Sequence, residues 1–227
     1  MEAKEEEKQE ENKELDYEIL REDFPNYDLS FKLIVIGNAG VGKSCLSMQA
    51  TKKRFENNYL ATVGFEFFVF NVKIDNKVLK LQIWDTCGQE VYRSLITSFY
   101  KNSSLAIIVY AINEEKSFED IDLWIKDLRS NSSPDIKVFL IGNKADLEDE
   151  RVISKEQALQ VQKDFDLDLF METSAKTGFN AQNLFVEAGR ILYKEYTKFK
   201  KQPKISGEYL KKKELKKNKK KKCFNVC

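Results

Sequence analysis

The chain has 227 residues, of which 42% are hydrophobic, so it can bury the core of one domain of ordinary size and carry tails in addition. It contains no histidine, and its four cysteines lack the spacing of a disulfide framework or a zinc site, which excludes histidine-containing triads and the common zinc centres. The net charge of +1 hides two opposite ends: residues 1–28 carry 12 acidic and four basic side chains, net −8, and residues 194–227 carry 14 lysines and three glutamates, net +11.

The acidic segment, residues 1–28, has few large apolar residues, so we expect a disordered extension that lies outside the core. The sequence has neither a signal-peptide pattern nor an apolar run of roughly 18 residues, which predicts a cytosolic chain.

An eight-residue motif, GNAGVGKS at residues 37–44, follows the apolar run 31–36 and has the pattern G-x-x-x-x-G-K-S. Its glycines let consecutive N–H groups point at phosphate oxygens, and the helix that follows directs its positive end to the same place. Lys43 can reach the outer phosphates, and the Ser44 hydroxyl can bind magnesium. The predicted ligand is a nucleoside triphosphate, since a simple glycine-rich turn would leave the Lys-Ser pair unexplained.

Apolar runs alternate with helical patterns along the rest of the chain. Residues 105–112 and 136–141 are almost continuously apolar, as strands buried on both faces require. Residues 63–74 and 78–84 flank the turn-forming pair Asp75-Asn76 and predict a hairpin.

Helical spacing of apolar residues occurs in residues 118–128 and 181–192, and Ser154 with Gln157 predicts a capping box. This order predicts an α/β sheet covered on both faces, with ligands bound beyond the carboxyl ends of the strands.

A second polar segment, DTCGQ at residues 85–89, follows the predicted hairpin. Asp85 can hold magnesium through water, the Gly88 N–H can meet a terminal phosphate, and Gln89 is the candidate for positioning water. By itself this pattern is a common turn, so its value depends on the motif before it.

A third segment, NKAD at residues 143–146, follows the predicted strand 136–141. The Asp146 carboxylate can accept hydrogen bonds from N1–H and the 2-amino group of guanine, whereas adenine presents an acceptor at N1. Residues 174–176 follow another predicted strand and can supply a loop N–H for the guanine O6.

Five segments in order, GNAGVGKS, Thr62, WDTCGQE, GNKAD and ETSAK, resemble the Ras superfamily of small GTPases across residues 30–200. TVGFEF, KLQIWDTCGQE and YRSLITSFY further resemble its Rab branch. The resemblance implies a P-loop small-GTPase fold of the α/β class, with a mostly parallel six-stranded sheet, one antiparallel edge strand and helices on both faces. It divides the chain into an extension (1–28), a GTP-binding domain (29–200) and a lysine-rich tail (201–227).

The resemblance also implies roles for matching positions. Catalytic roles fall to Gln89, Lys43, Thr62 and Gly88, and magnesium to Ser44, Thr62 and, through water, Asp85. The residues that bind the nucleotide are Gly37, Asn38, Ala39, Gly40, Val41, Gly42, Lys43, Ser44, Cys45, Phe55, Thr62, Asp85, Gly88, Asn143, Lys144, Asp146, Ser174, Ala175 and Lys176. Effectors are expected to contact an aromatic patch formed by Phe67, Trp84 and Phe99.

The lysine-rich tail ends in two cysteines, Cys223 and Cys227, which in Rab proteins would be prenylated, although three residues separate them here. A basic stretch beside a lipid group favours a membrane over nucleic acid as the partner of the tail, because the two signals reinforce each other at an anionic leaflet. The last four residues do not form a C-a-a-X box.

The resemblance implies a monomeric Rab-like switch that hydrolyses GTP to GDP and phosphate with Mg²⁺ and recruits effectors in vesicular traffic. Its expected partners are a GTPase-activating protein, an exchange factor, a GDP-dissociation inhibitor or escort, and effectors. It is expected in the cytoplasm, cycling to the cytoplasmic face of an endomembrane by a lipid anchor. Three alternatives stay open: a GTP-binding module of low hydrolytic activity, another branch of the superfamily, and a nucleic-acid-binding protein that uses the lysine tail.

Overall fold

The computed structural model describes residues 16–56, 62, 64–88 and 99–201. Its seven-stranded sheet has the spatial order β1-β3-β4-β2-β5-β6-β7. The strands are β1 (Tyr17–Leu20), β2 (Leu29–Ile36), β3 (Phe65–Ile74), β4 (Lys77–Thr86), β5 (Leu105–Ala111), β6 (Lys137–Asn143) and β7 (Leu169–Glu172). Neighbouring strands are parallel except that β3 is antiparallel to both β1 and β4.

The helices of the described residues connect or follow these strands. They are α1 (Lys43–Lys52), α2 (Glu115–Glu119), α3 (Ile121–Asn131), α4 (Lys155–Asp164) and α5 (Ala181–Lys201), with a short 3-10 helix at Glu148–Glu150. The capping box predicted at Ser154 and Gln157 is present at the start of α4. None of these helices is both long and apolar enough to span a bilayer.

Helices cover both faces of the sheet, as the continuous apolar runs predict. Every residue of β5 is buried, and its alternate residues point to opposite faces. On one face Ile108 packs in a cluster with Trp124 and Leu128 of α3. On the other face Phe185 of α5 packs on Phe70 of β3, with ring centroids 5.5 Å apart.

The predicted α/β fold and its hairpin are confirmed, but the sheet has seven strands rather than six. The additional strand, β1, comes from the acidic segment that was expected to lie outside the core, and it pairs with the β3 residues Asn71 to Ile74. Because β1 covers β3, the antiparallel strand β3 is not at the edge of the sheet. The Glu-rich composition around β1 conceals its four strand residues.

Side-chain contacts hold this added strand. Asn71 is buried in β3, and its Nδ2 donates to the main-chain carbonyls of Arg21 (2.9 Å) and Glu22 (3.0 Å), just after β1. The guanidinium of Arg190 lies 4.9 Å from the ring centroid of Tyr17. The segment that includes β1 therefore satisfies a buried amide of the sheet.

The chain divides into two units, Met1–Tyr193 and Lys194–Cys227. The first contains the sheet, and the described residues of the second, 194–201, are the end of α5. The domain boundaries inferred from the resemblance, after residues 28 and 200, stay a prediction.

Candidate functional site

The carboxyl ends of the parallel strands border a cavity of about 480 Å³, a volume in the usual range for a small-molecule site. The predicted residues that line it are Ala39, Gly40, Gly42, Lys43, Ser44, Cys45, Phe55, Thr62, Gly88, Asn143, Lys144, Asp146, Ala175 and Lys176. Glu56, Thr86 and Leu147 also line it and were not predicted. Segments distant in sequence thus meet at the carboxyl ends of the strands, where the sequence predicts a ligand.

Helix α1 directs its N-terminus at this cavity. It begins at Lys43, and within the described residues no side chain caps its first turn and no acidic residue lies in it. The first N–H groups of a helix lack partners inside the helix, and together they carry a partial positive charge. The start of α1 is therefore suited to an anion such as a phosphate.

The Lys43 side chain is buried beneath the phosphate loop, which is formed by residues 37–42 between β2 and α1. Its Nζ donates to the carbonyls of Gly37 (2.8 Å) and Asn38 (2.7 Å), which hold the ammonium group below the loop. Burial lowers the pKa of Lys43 to about 8, and the nearby Asp85 opposes part of that shift. The side chain is thus still mostly charged at neutral pH.

Two glycines of the site allow close approaches of the main chain. A Cβ on Gly37, whose φ is 138°, would lie 2.1 Å from the carbonyl oxygen of Val109 in β5. A Cβ on Gly88 would lie 2.4 Å from both the carbonyl carbon of Asn38 and the nitrogen of Ala39. The segment after β4 therefore packs directly on the phosphate loop, and only glycine fits that contact.

Three oxygen-bearing side chains converge beside Lys43. The hydroxyls of Ser44 and Thr62 share a hydrogen bond of 2.8 Å, and Ser44 Oγ also donates to Asp85 Oδ2. The other carboxylate oxygen of Asp85, Oδ1, is buried and has no hydrogen-bond partner among the described residues. Two hydroxyls and a carboxylate with an unused oxygen fit a hard divalent cation such as Mg²⁺.

The electrostatics of Asp85 agree with that fit. Burial raises the pKa of Asp85 to about 7, although the hydrogen bond from Ser44 and the charge of Lys43 act in the opposite direction. A bound cation favours the ionised form of a carboxylate. Burial therefore disfavours the ionised form of Asp85, and a metal ion at this site would stabilise that form.

Asp146 lies at the other end of the cavity, after β6. Its Oδ1 accepts a hydrogen bond of 2.5 Å from Ser174 Oγ, and its Oδ2 lies 3.9 Å from the Lys176 ammonium. The loop after β7 thus holds the carboxylate in place, and Asp146 and Lys176 both line the cavity.

Asn143 connects three segments of the site. Its Nδ2 donates to the Val41 carbonyl (2.8 Å), and its Oδ1 accepts from Thr173 Oγ1 (3.1 Å) and from the Ala175 N–H (3.2 Å). Asn143 is almost completely buried, so the side chain acts chiefly as a structural connection. The Ala175 N–H, from the loop predicted to meet a guanine O6, donates to Asn143 here.

The Asn38 side chain is bonded away from the cavity, although the resemblance places this position with the ligand. Its Nδ2 donates to Asp120 Oδ2 (2.7 Å), and its Oδ1 accepts from Trp124 Nε1 (2.8 Å). Asp120 and Trp124 were not predicted as site residues, because the spacing around them predicts only a packed helix.

Some predicted residues are not on the cavity surface. Val41, Asp85 and Ser174 lie behind it and contact residues that line it. Gln89, Cys223 and Cys227 lie outside the described residues, so their roles stay predictions.

Comparison with known proteins identifies the family. A model described as the Ras family matches residues 32–194. The chain belongs to the Ras family. This Ras-family protein is 40% identical over 164 residues to Ras-related protein Rab-13 of Canis lupus familiaris, covering 72% of this chain and 80% of that protein. It is also 40% identical over 164 residues to Ras-related protein Rab-8A of Gallus gallus, covering 72% and 79%.

Membership of the Ras family makes the chain a GTP hydrolase that binds guanine nucleotide. The predicted family and activity are confirmed, and the similarity to two Rab proteins makes this GTPase Rab-like.

Proposed function

We propose that this GTPase is a Rab-type switch that alternates between GTP and GDP and recruits effectors to a membrane in vesicular traffic. The observation that carries the proposal is the cavity around which Lys43, Ser44, Thr62 and Asp146 meet. The identity with two Rab proteins supports the Rab branch over other branches.

The phosphate end of the cavity is proposed to bind the triphosphate. The start of α1 and the loop N–H groups would surround the phosphates, and Lys43 would contribute the positive charge. Ser44 and Thr62 would hold Mg²⁺ directly and Asp85 through water. These residues would thereby place a divalent cation where it could neutralise charge on the phosphate oxygens.

The opposite end of the cavity is proposed to select guanine. Asp146 would accept hydrogen bonds from N1–H and the 2-amino group, and Ser174 already fixes one of its oxygens. Phe55 lines the cavity and would stack on the base. An adenine base would place an acceptor against the Asp146 carboxylate, so ATP is rejected.

Hydrolysis would depend on Gln89, which orients the attacking water, while the Gly88 N–H and Thr62 hold the γ-phosphate. Loss of that phosphate would release the segments that contain Thr62 and Gly88, so the rate of hydrolysis would set how long the active state lasts. In the related Ras proteins an arginine from an activating partner accelerates hydrolysis by roughly 10³ to 10⁵-fold. We expect the same dependence here.

An exposed aromatic cluster is the proposed effector surface. The Trp84 ring centroid lies 5.3 Å from Phe67 and 5.5 Å from Phe99, and this proximity supports the proposal. Phe65 joins the cluster at 4.9 Å from Phe99, and Phe65 and Phe67 each leave nearly half of their surface exposed. β3 begins just after Thr62, and β4 ends just before Gly88. Because both residues are proposed to contact the γ-phosphate, the bound nucleotide can alter this surface.

The tail is proposed to anchor the protein. Prenyl groups on Cys227 and Cys223 would insert in the bilayer, and the neighbouring lysines would bind anionic headgroups. Exchange factor, activating protein and GDP-dissociation inhibitor would then move the protein between cytoplasm and membrane. The monomeric state is part of the same proposal.

Single-turnover hydrolysis tests the switch directly. Full-length protein is loaded with GTP, Mg²⁺ is added, and phosphate release is followed for wild type, Gln89→Leu and the control Gln82→Leu. Gln82 lies on β4, where its amide contacts Ser30. We expect wild type and the control to release phosphate equally, and Gln89→Leu to hold GTP but react at least about 100-fold more slowly.

The alternatives give different results. Wild-type protein that holds GTP without releasing phosphate would be a GTP-binding module, and equal retention of ATP would remove Asp146 from its role. Fluorescently tagged protein in its native cell should lie on one endomembrane and become diffuse when Cys223 and Cys227 are both replaced by Ser. Salt-dependent RNA binding that requires residues 211–227 would instead favour the nucleic-acid alternative.

A further inference from the structure

A largely buried polar cluster adjoins the phosphate loop, and none of its three residues lines the cavity. It consists of Asn38 in the loop, Asp120 at the junction of α2 and α3, and Trp124 in α3. Asp120 and Trp124 are 4% and 1% exposed. Both protein partners of the Asn38 amide therefore belong to the helices that follow β5.

The donors and acceptors of this cluster fix the orientation of the Asn38 side chain. Its NH₂ group donates to Asp120, and its oxygen accepts from the indole N–H of Trp124, at 2.7 and 2.8 Å. Rotation of the amide by 180° would set its oxygen against a carboxylate and its NH₂ against an indole N–H. One amide orientation alone satisfies both neighbours.

The helix side of the cluster is itself held in place. The second carboxylate oxygen of Asp120 lies 2.8 Å from the Lys116 ammonium, one turn earlier. The main-chain N–H of Trp124 donates to the main-chain carbonyl of Asp120 at 3.1 Å. The main-chain N–H of Asp120 donates to the Lys116 carbonyl at 3.2 Å. The helices α2 and α3 therefore fix the position of the Asn38 side chain, and through it the position of the phosphate loop.

The main chain of Asn38 meets two parts of the proposed reaction centre. Its carbonyl oxygen accepts from Lys43 Nζ at 2.7 Å. The peptide between Asn38 and Ala39 also contacts Gly88 so closely that a Cβ there would lie 2.4 to 2.5 Å from it. A shift of this one peptide would move both Lys43 and Gly88.

We propose that Asp120 and Trp124 are positioning residues for GTP hydrolysis, which hold the Asn38 side chain and so fix the peptide on which Lys43 and Gly88 rest. This inference rests on the proposed roles of Lys43 and Gly88. Neither Asp120 nor Trp124 lines the cavity. They act through Asn38, which lies 82 and 86 residues away from them in the chain.

An exchange of two side chains tests the inference. Asn38→Asp sets two carboxylates against each other, and Trp124→Phe removes the indole donor but keeps a ring. The double variant Asn38→Asp/Asp120→Asn restores both hydrogen bonds, because a carboxylate at position 38 can accept from an amide at position 120 and from the Trp124 indole. Asp122→Asn is the control, since Asp122 lies on the same helix and pairs with Lys126 at the surface.

The measurement is the first-order rate constant of single-turnover hydrolysis on protein loaded with GTP, together with the rate of nucleotide release. This rate constant refers to folded, loaded molecules, so a loss of stability alone does not change it. We expect Asn38→Asp and Trp124→Phe to react about 10 to 100-fold more slowly and to release nucleotide faster. The double variant should return to within about twofold of wild type, and the control should equal it.

Each other result overturns the inference. Single variants with the wild-type rate constant would show that the cluster positions nothing. A double variant as slow as Asn38→Asp would show that the hydrogen bonds are not the cause. If the single variants cannot be loaded, the double variant decides: wild-type hydrolysis supports the inference, and failure to load rejects it. Wild-type protein without hydrolysis would instead remove the proposed function, and this inference with it.

Discussion

Asn143 and Val41, 102 residues apart in the chain, are joined by a hydrogen bond of 2.8 Å from the Asn143 side-chain amide to the Val41 carbonyl. The same side chain accepts hydrogen bonds from Thr173 and Ala175. One buried amide therefore sets the distance between the phosphate loop and the two loops that hold Asp146.

Replacing Asn143 by Ala should loosen both ends of the cavity at once. Three hydrogen bonds are lost and buried partners are left unsatisfied, so we expect the free energy of unfolding to fall by about 2 to 4 kcal/mol. The release of a fluorescent GDP analogue should accelerate at least about tenfold. Asn131→Ala, at an exposed position of α3, is the control, and equal release rates for the two variants would contradict this view of Asn143.

Gly88→Ala tests the contact between the segment after β4 and the phosphate loop. The added methyl group would lie 2.4 Å from main-chain atoms of Asn38 and Ala39, so this segment must move away from the loop. The proposed contact of Gly88 with the γ-phosphate would then be lost. We expect GTP affinity to fall more than GDP affinity, measured by competition against a labelled nucleotide. An equal loss for both nucleotides would mean that Gly88 does not distinguish them.

Asp146→Asn should alter the choice of base. A carboxylate accepts from the 2-amino group of guanine, whereas an amide can donate to the 2-carbonyl of xanthine. We expect GDP binding to weaken by at least about 100-fold and xanthosine diphosphate binding to improve, because buried polar groups discriminate strongly against mismatched partners. Competition between the two diphosphates measures the change. A variant that still prefers GDP would show that Asp146 does not read the base.

The sequence predicts those parts of the site that are contiguous in the chain and follow a strand. The phosphate loop, Asp85 and Asp146 each follow an apolar run, so their meeting at the carboxyl ends of the strands follows from a parallel sheet. The link from Asn38 to Asp120 and Trp124 could not be predicted, because nothing local marks a hydrogen bond across 82 or 86 residues.

The added strand could not be predicted for a related reason. The residues of β1 are few, and their neighbours in sequence are charged. Their partner residues in β3 lie more than 50 positions further along the chain, and the Asn71 amide meets the Arg21 carbonyl just after β1 only once the chain is folded.

Burial of the Asp85 carboxylate is expected to lower the stability of the folded protein at neutral pH, although the same carboxylate is proposed to hold Mg²⁺. Its pKa in the folded protein, about 7, lies above its ordinary value of 3.8, so the folded state holds a proton that the unfolded state releases. For protein freed of nucleotide and Mg²⁺, the stability contributed by this group is complete below about pH 4 and is lost as pH rises to about 7.

Asp85→Asn removes that titration. We therefore expect the stability of the variant relative to wild type to increase between about pH 5 and about pH 7.5, measured by urea unfolding of both proteins in EDTA. The same variant should lose the slowing of nucleotide release by Mg²⁺. Asp122→Asn, an exposed exchange, should show neither effect, and parallel pH profiles for Asp85→Asn and wild type would contradict the prediction.

The N-terminal segment is expected to contribute to the stability of the domain. Deletion of residues 1–28 removes β1 and the two carbonyls that satisfy the buried Asn71 amide. We therefore expect the free energy of unfolding to fall by about 1 to 3 kcal/mol. Deletion of residues 1–15 alone leaves those contacts in place and should leave the unfolding midpoint unchanged. In the background of the longer deletion, Asn71→Val should recover part of the loss, because an apolar side chain of similar size leaves no unsatisfied amide in the sheet. Equal midpoints for the two deletions would mean that β1 does not contribute to the stability of the domain.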